Sequence, residues 1–198
     1  SMGTCVARYL LEVEDGKTRT HAVRQLIGLG PANNGSALAE LFNHPVHGEI
    51  VANRLRGVFV PKGFDPQTDQ SVRDARPDSP VIQRLRTAGL RPDITYRVIV
   101  GTNPEGIPGF FPWFEGRTWE MAEDGRFRAT LEGDGVVAFR ESELPGIPID
   151  IIPASRGQGT PPDLFCHINL PRNPLIIDRL VQYLKVPNGF GEKSTKSA

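Results

Sequence analysis

Apolar and polar positions change between helix-like and strand-like spacing several times along the chain. In residues 3–14 the apolar side chains recur three and four positions apart, which predicts a helix with one buried stripe. Residues 23–29 and 94–101 are short, mostly apolar runs, as expected of buried parallel strands. Residues 148–153 are the last candidate strand. The alternation of strands, helices and turns predicts an α/β fold.

Caps and apolar spacing predict further helices. Ser36 and Ser79 suit N-cap positions, and Pro80 suits the first position of the helix that follows. Residues 174–185 have the spacing of a closing helix. The apolar side chains expected to be buried are Val6, Tyr9, Leu10 and Val13 in the first helix and Leu175, Ile176, Leu180, Val181 and Leu184 in the last.

Two long segments interrupt this pattern. Residues 44–78 show no clean periodicity, although residues 57–60 could form a strand. Residues 104–131 are a second insertion, whose end alternates like one strand of a hairpin. Its aromatic cluster could line an apolar pocket or form a small satellite core. That cluster consists of Phe110, Phe111, Trp113 and Phe114.

Length and composition limit the possible classes of function. A chain of 198 residues fits one domain, expected here over residues 1–188 and followed by a polar, frayed tail at 189–198. The net charge of zero gives no indication of a nucleic-acid or phospholipid partner. No apolar run is long enough for a transmembrane helix. Cys5 and Cys166 are expected to be two free buried thiols rather than a disulfide, and localisation stays open.

Three stretches far apart in the chain carry candidate chemistry. Ser1-Met2-Gly3, followed at once by a predicted helix, matches the second half of the nucleophile elbow Gly-x-Ser-x-Gly. Gly133-Asp134-Gly135 places an acidic side chain between two glycines, as in a tight exposed loop. His167 lies between the last predicted strand and the closing helix.

Together these stretches resemble the lipase and esterase branch of the α/β-hydrolase family. From the serine onward, the first residues are similar to the family's Gly-His-Ser-Met-Gly-Gly-x-Val-Ala-Arg-Tyr, and Ser, Asp and His come in the family's chain order. Residues 26–39 resemble the turn after the sixth strand, and residues 77–85 resemble a helix start of the family. The resemblance implies an α/β-hydrolase-like parallel sheet flanked by helices, with the N-terminal strands missing.

The resemblance also implies a mechanism and a substrate class. Ser1 would be the nucleophile, His167 the general base, and Asp134 the residue that orients the histidine. The N–H of Met2 would stabilise the oxyanion. No metal or organic cofactor is expected, the substrate would be a small carboxylic ester or lipid, and residues 44–78 would correspond to the lid or cap.

Each of these assignments has a competitor in the sequence. His21, His44 and His47 compete with His167 as the base, and Asp124 and Glu132 compete with Asp134 as the acid. An initial Ser-Met can also remain after an affinity tag is removed. A further alternative is an N-terminal nucleophile hydrolase, in which the α-amine of the first residue acts as the base.

The largest departure from the family lies before the serine. The family's first five strands and its histidine-glycine oxyanion loop have no counterpart in this sequence. The strand at 23–29 would then have an exposed edge, and such edges tend to pair with other chains. We therefore expect a fragment, or a protein completed by another chain or by a second copy. The alternative function is a non-catalytic remnant or subunit of an α/β hydrolase.

Overall fold

The computed structural model describes residues 1–56, 60–102, 117–152 and 166–185. The fold is mixed α/β, with a three-stranded parallel sheet flanked by helices, as the sequence pattern predicts. The strands are β1 (Gln25–Leu29), β2 (Thr95–Gly101) and β5 (Ile149–Ile152), in the spatial order β1-β2-β5. In the register, Leu29 lies opposite Ile99, and Val98 lies opposite Ile149. All three predicted strands are therefore confirmed.

The predicted helices are present, together with short ones that the pattern did not reveal. Ser36 Oγ accepts a hydrogen bond from Leu38 N at 3.2 Å, and Ser79 Oγ accepts one from Ile82 N at 3.1 Å, so both predicted N-caps are confirmed. The helices are α1 (Met2–Arg8), its π-helical continuation (Tyr9–Glu14), α2 (Ala37–Phe42), α3 (Gly48–Leu55), α4 (Gln70–Asp74), α5 (Pro80–Ala88), α6 (Phe139–Ser142), a 3₁₀-helix (His167–Arg172) and α7 (Pro174–Lys185).

Strand β2 is buried on both faces, which makes it the centre of the sheet. Val98 and Val100 pack on one face in a cluster that includes Leu11 from the first helix. On the other face Ile99 packs against Ile176 of α7. Because helices cover both faces, the strand carries a nearly continuous apolar run rather than a strict alternation.

The buried side of the first helix differs from the predicted stripe. Val6 is 67% exposed and Leu10 is 45% exposed, so both were wrongly predicted to be buried. Arg8 and Glu12 are buried instead, where they pair through two hydrogen bonds of 2.9 and 2.8 Å. Arg8 also donates to the backbone carbonyl of Asn33. This paired burial of opposite charges is invisible to a pattern that counts only apolar positions.

Helix α7 shows the same kind of difference. Ile176 is fully buried and Leu180 packs against the same cluster, as predicted. Leu175, Val181 and Leu184 are 53, 40 and 70% exposed, so their predicted burial was wrong. One side of α7 covers the sheet, and no described residue covers the adjacent apolar side enough to bury it.

Residues 44–78 are more regular than their sequence suggests. This segment contains α3 and α4, and α3 packs its Val51 and Leu55 against Leu41 of α2. The strand predicted at 57–60 lies mostly outside the described residues, although Val60 is buried in the same cluster. A role for this segment as a lid stays a prediction.

The second insertion forms the predicted hairpin. Strand β3 (Thr118–Met121) pairs antiparallel with β4 (Phe127–Thr130), and Trp119 packs against Phe127. The proposed pocket residues Phe110, Phe111, Trp113 and Phe114 lie outside the described residues, and so does the predicted tail at 189–198.

Cysteine chemistry and membrane insertion can be judged only for the described ranges. Cys5 and Cys166 are buried and do not form a disulfide with each other, which confirms the expectation from the sequence. In residues 1–56, 60–102, 117–152 and 166–185, no helix has both the length and the apolar character needed to span a bilayer.

Candidate functional site

Asp134 and His167 contact each other at the carboxyl end of β1. The carboxylate Oδ2 of Asp134 lies 2.7 Å from His167 Nδ1. The backbone joins the same two residues, since His167 N donates to Asp134 O at 2.9 Å. Both residues are buried, with only 8% of the His167 side chain exposed. Two elements that are 33 residues apart in sequence are thus locked together at this pair.

The loop around Asp134 holds the carboxylate through its own backbone. Oδ1 accepts hydrogen bonds from Val136 N at 3.0 Å and from Val137 N at 2.8 Å. Asp134 N donates to the carbonyl of Val137 at 3.2 Å, which closes the turn. One carboxylate oxygen is therefore engaged by backbone donors, and the other is directed at His167.

The glycines on either side of Asp134 allow this turn to form. Gly135 has a φ of 92°, which a side chain rarely adopts, and its N–H donates to Thr118 Oγ1 at 2.7 Å. A Cβ at Gly133 would lie 2.6 Å from the same Oγ1. Thr118, on the first strand of the hairpin, thus packs directly against the acid loop.

The contact with Asp134 determines the tautomer of His167. A carboxylate oxygen can only accept, so Nδ1 donates and the basic lone pair of the neutral ring is on Nε2. His167 is the first residue of the 3₁₀-helix, whose Leu170 is buried against α7. The ring is therefore held both by the acid and by a packed helix, an arrangement suited to a general base.

Gly30 packs directly against the Asp134–His167 pair. It follows β1 directly, and its N–H donates to Ile99 O at 2.8 Å. Its φ is 49°, in the left-handed region. A Cβ at this position would lie 2.6 Å from Asp134 Oδ2 and 3.1 Å from His167 Nδ1. The acid and the base therefore pack against a backbone that has room for glycine alone.

Ser1 lies at the same end of β1. Its amine donates to the carbonyl of Leu29, the residue before Gly30, at 3.0 Å. Desolvation at this strand end lowers the pKa of the amine, and the charge of Asp134 acts in the opposite direction. Met2, the predicted oxyanion donor, begins α1 immediately afterwards and is 40% exposed. The structure thus brings Ser1 to the strand end at which Asp134 and His167 meet.

The competing residues lie in other surroundings. His21 is beside Asp15, in the loop before β1. The rings of His44 and His47 stack on each other with centroids 4.6 Å apart. Asp124 accepts from the backbone of Arg126 at the tip of the hairpin. Glu132 N donates to Thr130 Oγ1, and this residue is exposed.

The buried glutamate Glu141, near the site, was not predicted from the sequence. Glu141 accepts from Ala37 N at 2.5 Å and from Ala138 N at 2.9 Å, and so links the starts of α2 and α6. Burial raises the pKa of Glu141 to about 8, although both N–H donors act to lower it. Its position three residues after the helix start was the available signal, since a glutamate there often caps the helix backbone.

In the part of the chain that the structure describes, no group of three or more histidine, cysteine or carboxylate side chains could hold a metal ion. The polar contacts described above connect protein groups to one another. In this arrangement the acid orients the histidine at the strand end where the amine of Ser1 is bound.

No family model matches the sequence, and no curated protein matches it.

Proposed function

We propose that this protein is a serine hydrolase of carboxylic esters, built on an α/β-hydrolase fold of the lipase and esterase type. The observation that carries the proposal is the buried 2.7 Å contact between Asp134 and His167, at the strand end where Ser1 lies. In open α/β sheets, ligands bind beyond the carboxyl ends of the strands, and this contact has that location.

The residues would divide the reaction between them as follows. His167 Nε2 takes the hydroxyl proton of Ser1 while Oγ attacks the ester carbonyl, and the N–H of Met2 donates to the oxyanion that forms. When the carbonyl re-forms, the C–O bond to the alcohol breaks and His167 returns the proton to the leaving oxygen. Water then repeats the sequence on the acyl-enzyme and releases the acid. Asp134 keeps the tautomer of His167 and stabilises its cationic form.

A second candidate function is a subunit that needs a further polypeptide, and the edge of β1 supports it. Gly30 N bonds to β2, so the alternation of a strand turns the main-chain groups of Ile27 and Leu29 to the opposite edge. Among the described residues no strand pairs with that edge, where Leu29 O accepts from Ser1. An open edge of this kind favours pairing with another segment or with a second copy.

The experiment that tests the proposal is intact mass spectrometry after treatment with a fluorophosphonate. It should be run on this chain and, where the gene encodes residues upstream of Ser1, on the longer chain. We expect a single adduct on the serine at position 1 that disappears in Ser1→Ala. If neither form is labelled, the catalytic proposal is wrong and the second candidate is favoured.

A further inference from the structure

A groove with a volume of about 410 Å³ runs along α1, between that helix and α4 with the start of α5. The wall formed by α1 and its π-helical continuation presents Met2, Val6 and Leu10, which are spaced four residues apart and are 40, 67 and 45% exposed. Ala75 and Ile82 belong to the facing wall. This exposed stripe, in which the sequence pattern wrongly predicted Val6 and Leu10 to be buried, is therefore one side of a mostly apolar groove.

This groove begins next to the candidate site. Met2 follows Ser1 directly, and Ala32, which also lines the groove, lies two residues after Gly30. From Met2 to Leu10 the helix covers roughly 12 Å at the α-helical rise per residue. A ligand held at Ser1 would then place an unbranched apolar chain beside Met2 and along α1.

The charges along the groove disfavour an anionic ligand. Its charged lining residues are Glu14 and Asp74, and none of the described residues that line it is a lysine or an arginine. These two carboxylates disfavour a free carboxylate or a phosphate ligand. The volume is within the range of pockets that bind small molecules. A neutral, apolar chain satisfies both conditions.

We infer that the groove along α1 binds the acyl chain of a neutral, medium-chain ester whose carbonyl is held at Ser1. This inference rests on the proposed hydrolase function and adds its substrate class. Burial of each methylene in such a groove strengthens binding about fourfold. The groove should therefore select esters by chain length.

The experiment compares two fluorophosphonates that share one reactive group and carry either an ethyl or a decyl tail. Their labelling rates are measured for the natural sequence, for Val6→Asp, and for Val46→Asp as the matched control, because Val46 is 65% exposed and does not line the groove. We expect the decyl probe to react at least about tenfold faster with the natural sequence and with Val46→Asp. In Val6→Asp the ratio of the two rates should fall close to one.

A second measurement separates failure of the groove from failure of the hydrolase function. Nile red, a neutral apolar dye, is bound to the protein and displaced with methyl decanoate. Displacement that weakens in Val6→Asp and not in Val46→Asp supports the groove even where neither probe labels Ser1. If the ratio of the decyl to the ethyl labelling rate, or the displacement of Nile red, is the same in Val6→Asp and Val46→Asp, the groove does not bind the acyl chain. The hydrolase proposal is then decided by its own test.

Discussion

The protein pairs a buried aspartate with a histidine at both ends of β1, in two very different settings. Before the strand, Asp15 Oδ2 lies 3.1 Å from His21 Nδ1. After it, Asp134 Oδ2 lies 2.7 Å from His167 Nδ1. Both carboxylates are almost inaccessible, so burial of the acid does not distinguish the two pairs.

The difference lies in the other partners of each carboxylate. The carboxylate of Asp15 accepts hydrogen bonds from the N–H and the hydroxyl of Thr20, from the hydroxyl of Thr18 and from the N–H of His21. Arg91 Nη1 also binds it, at 2.9 Å. Burial alone would raise the pKa of Asp15, but the hydrogen bonds from Thr20, His21 and Thr18 outweigh it and hold the pKa far below its ordinary value. His21, with 49% of its side chain exposed, is a peripheral member of this network.

At the other end of the strand, the carboxylate is arranged around the histidine. Backbone N–H groups engage Asp134 Oδ1, and Oδ2 is directed at the ring of His167. That ring is only 8% exposed and is held by a packed helix. The catalytic role proposed for His167 thus has an acid that serves mainly the histidine. A contact whose acid also binds an arginine and two threonines stabilises a loop.

The largest expected effect separates the two histidines. Under the proposed function, His167→Ala should lower the rate of fluorophosphonate labelling by about 10⁴-fold, because the proposed nucleophile Ser1 would lose its base. His21→Ala should leave the rate within about twofold, since it removes an exposed side chain from the other end of the sheet. Labelling rates at pH 7.5 measure both. Equal rates for the two variants would show that the pair at His167 is structural, like the pair at His21.

A smaller effect tests the packing that is specific to the second pair. In Gly30→Ala, the alanine would have to adopt a left-handed φ, and its Cβ would lie too close to Asp134 and His167. The substitution should lower the free energy of unfolding by about 3 kcal/mol. Gly63→Ala is the matched control, because Gly63 also has a positive φ, 83°, but has open space around it. We expect a loss of only about 1 kcal/mol there. Urea unfolding followed by circular dichroism measures the free energy of unfolding of both variants. Similar losses of stability would contradict the close packing of Gly30 against Asp134 and His167.

The smallest effect at neutral pH concerns the network of Asp15. Its folded pKa lies below the unfolded value of 3.8, so the unfolded chain takes up the proton first as pH falls. The stability that Asp15 contributes is complete above about pH 4 to 5 and is lost below that range. Thermal unfolding midpoints between pH 7 and 2.5 should therefore fall more steeply for the natural sequence than for Asp15→Asn. Asp124→Asn, at an exposed position, should follow the natural sequence. A parallel decline in Asp15→Asn would assign the acid sensitivity to other groups.

Several elements were predictable from short stretches of sequence. Ser36 and Ser79 cap their helices, and the β-branched run at 95–101 forms the central strand. The juxtaposition of Asp134 with His167 was also expected, but only from resemblance to a family, because no local pattern states which loops will meet. Gly30 was missed as part of the site, since its importance depends on side chains that approach it from more than 100 residues away.

The sequence by itself determined where strands, turns and helix caps occur, because these follow from the spacing of apolar groups and from hydrogen bonds within a few residues. It did not determine which side of a helix is covered. Val6 and Leu184 have the spacing of buried residues but are exposed, whereas Arg8 and Glu12 are buried because they neutralise each other. Burial depends on what packs opposite a side chain. Only the tertiary structure decided that, and with it the groove along α1 and the carboxylate that serves a histidine.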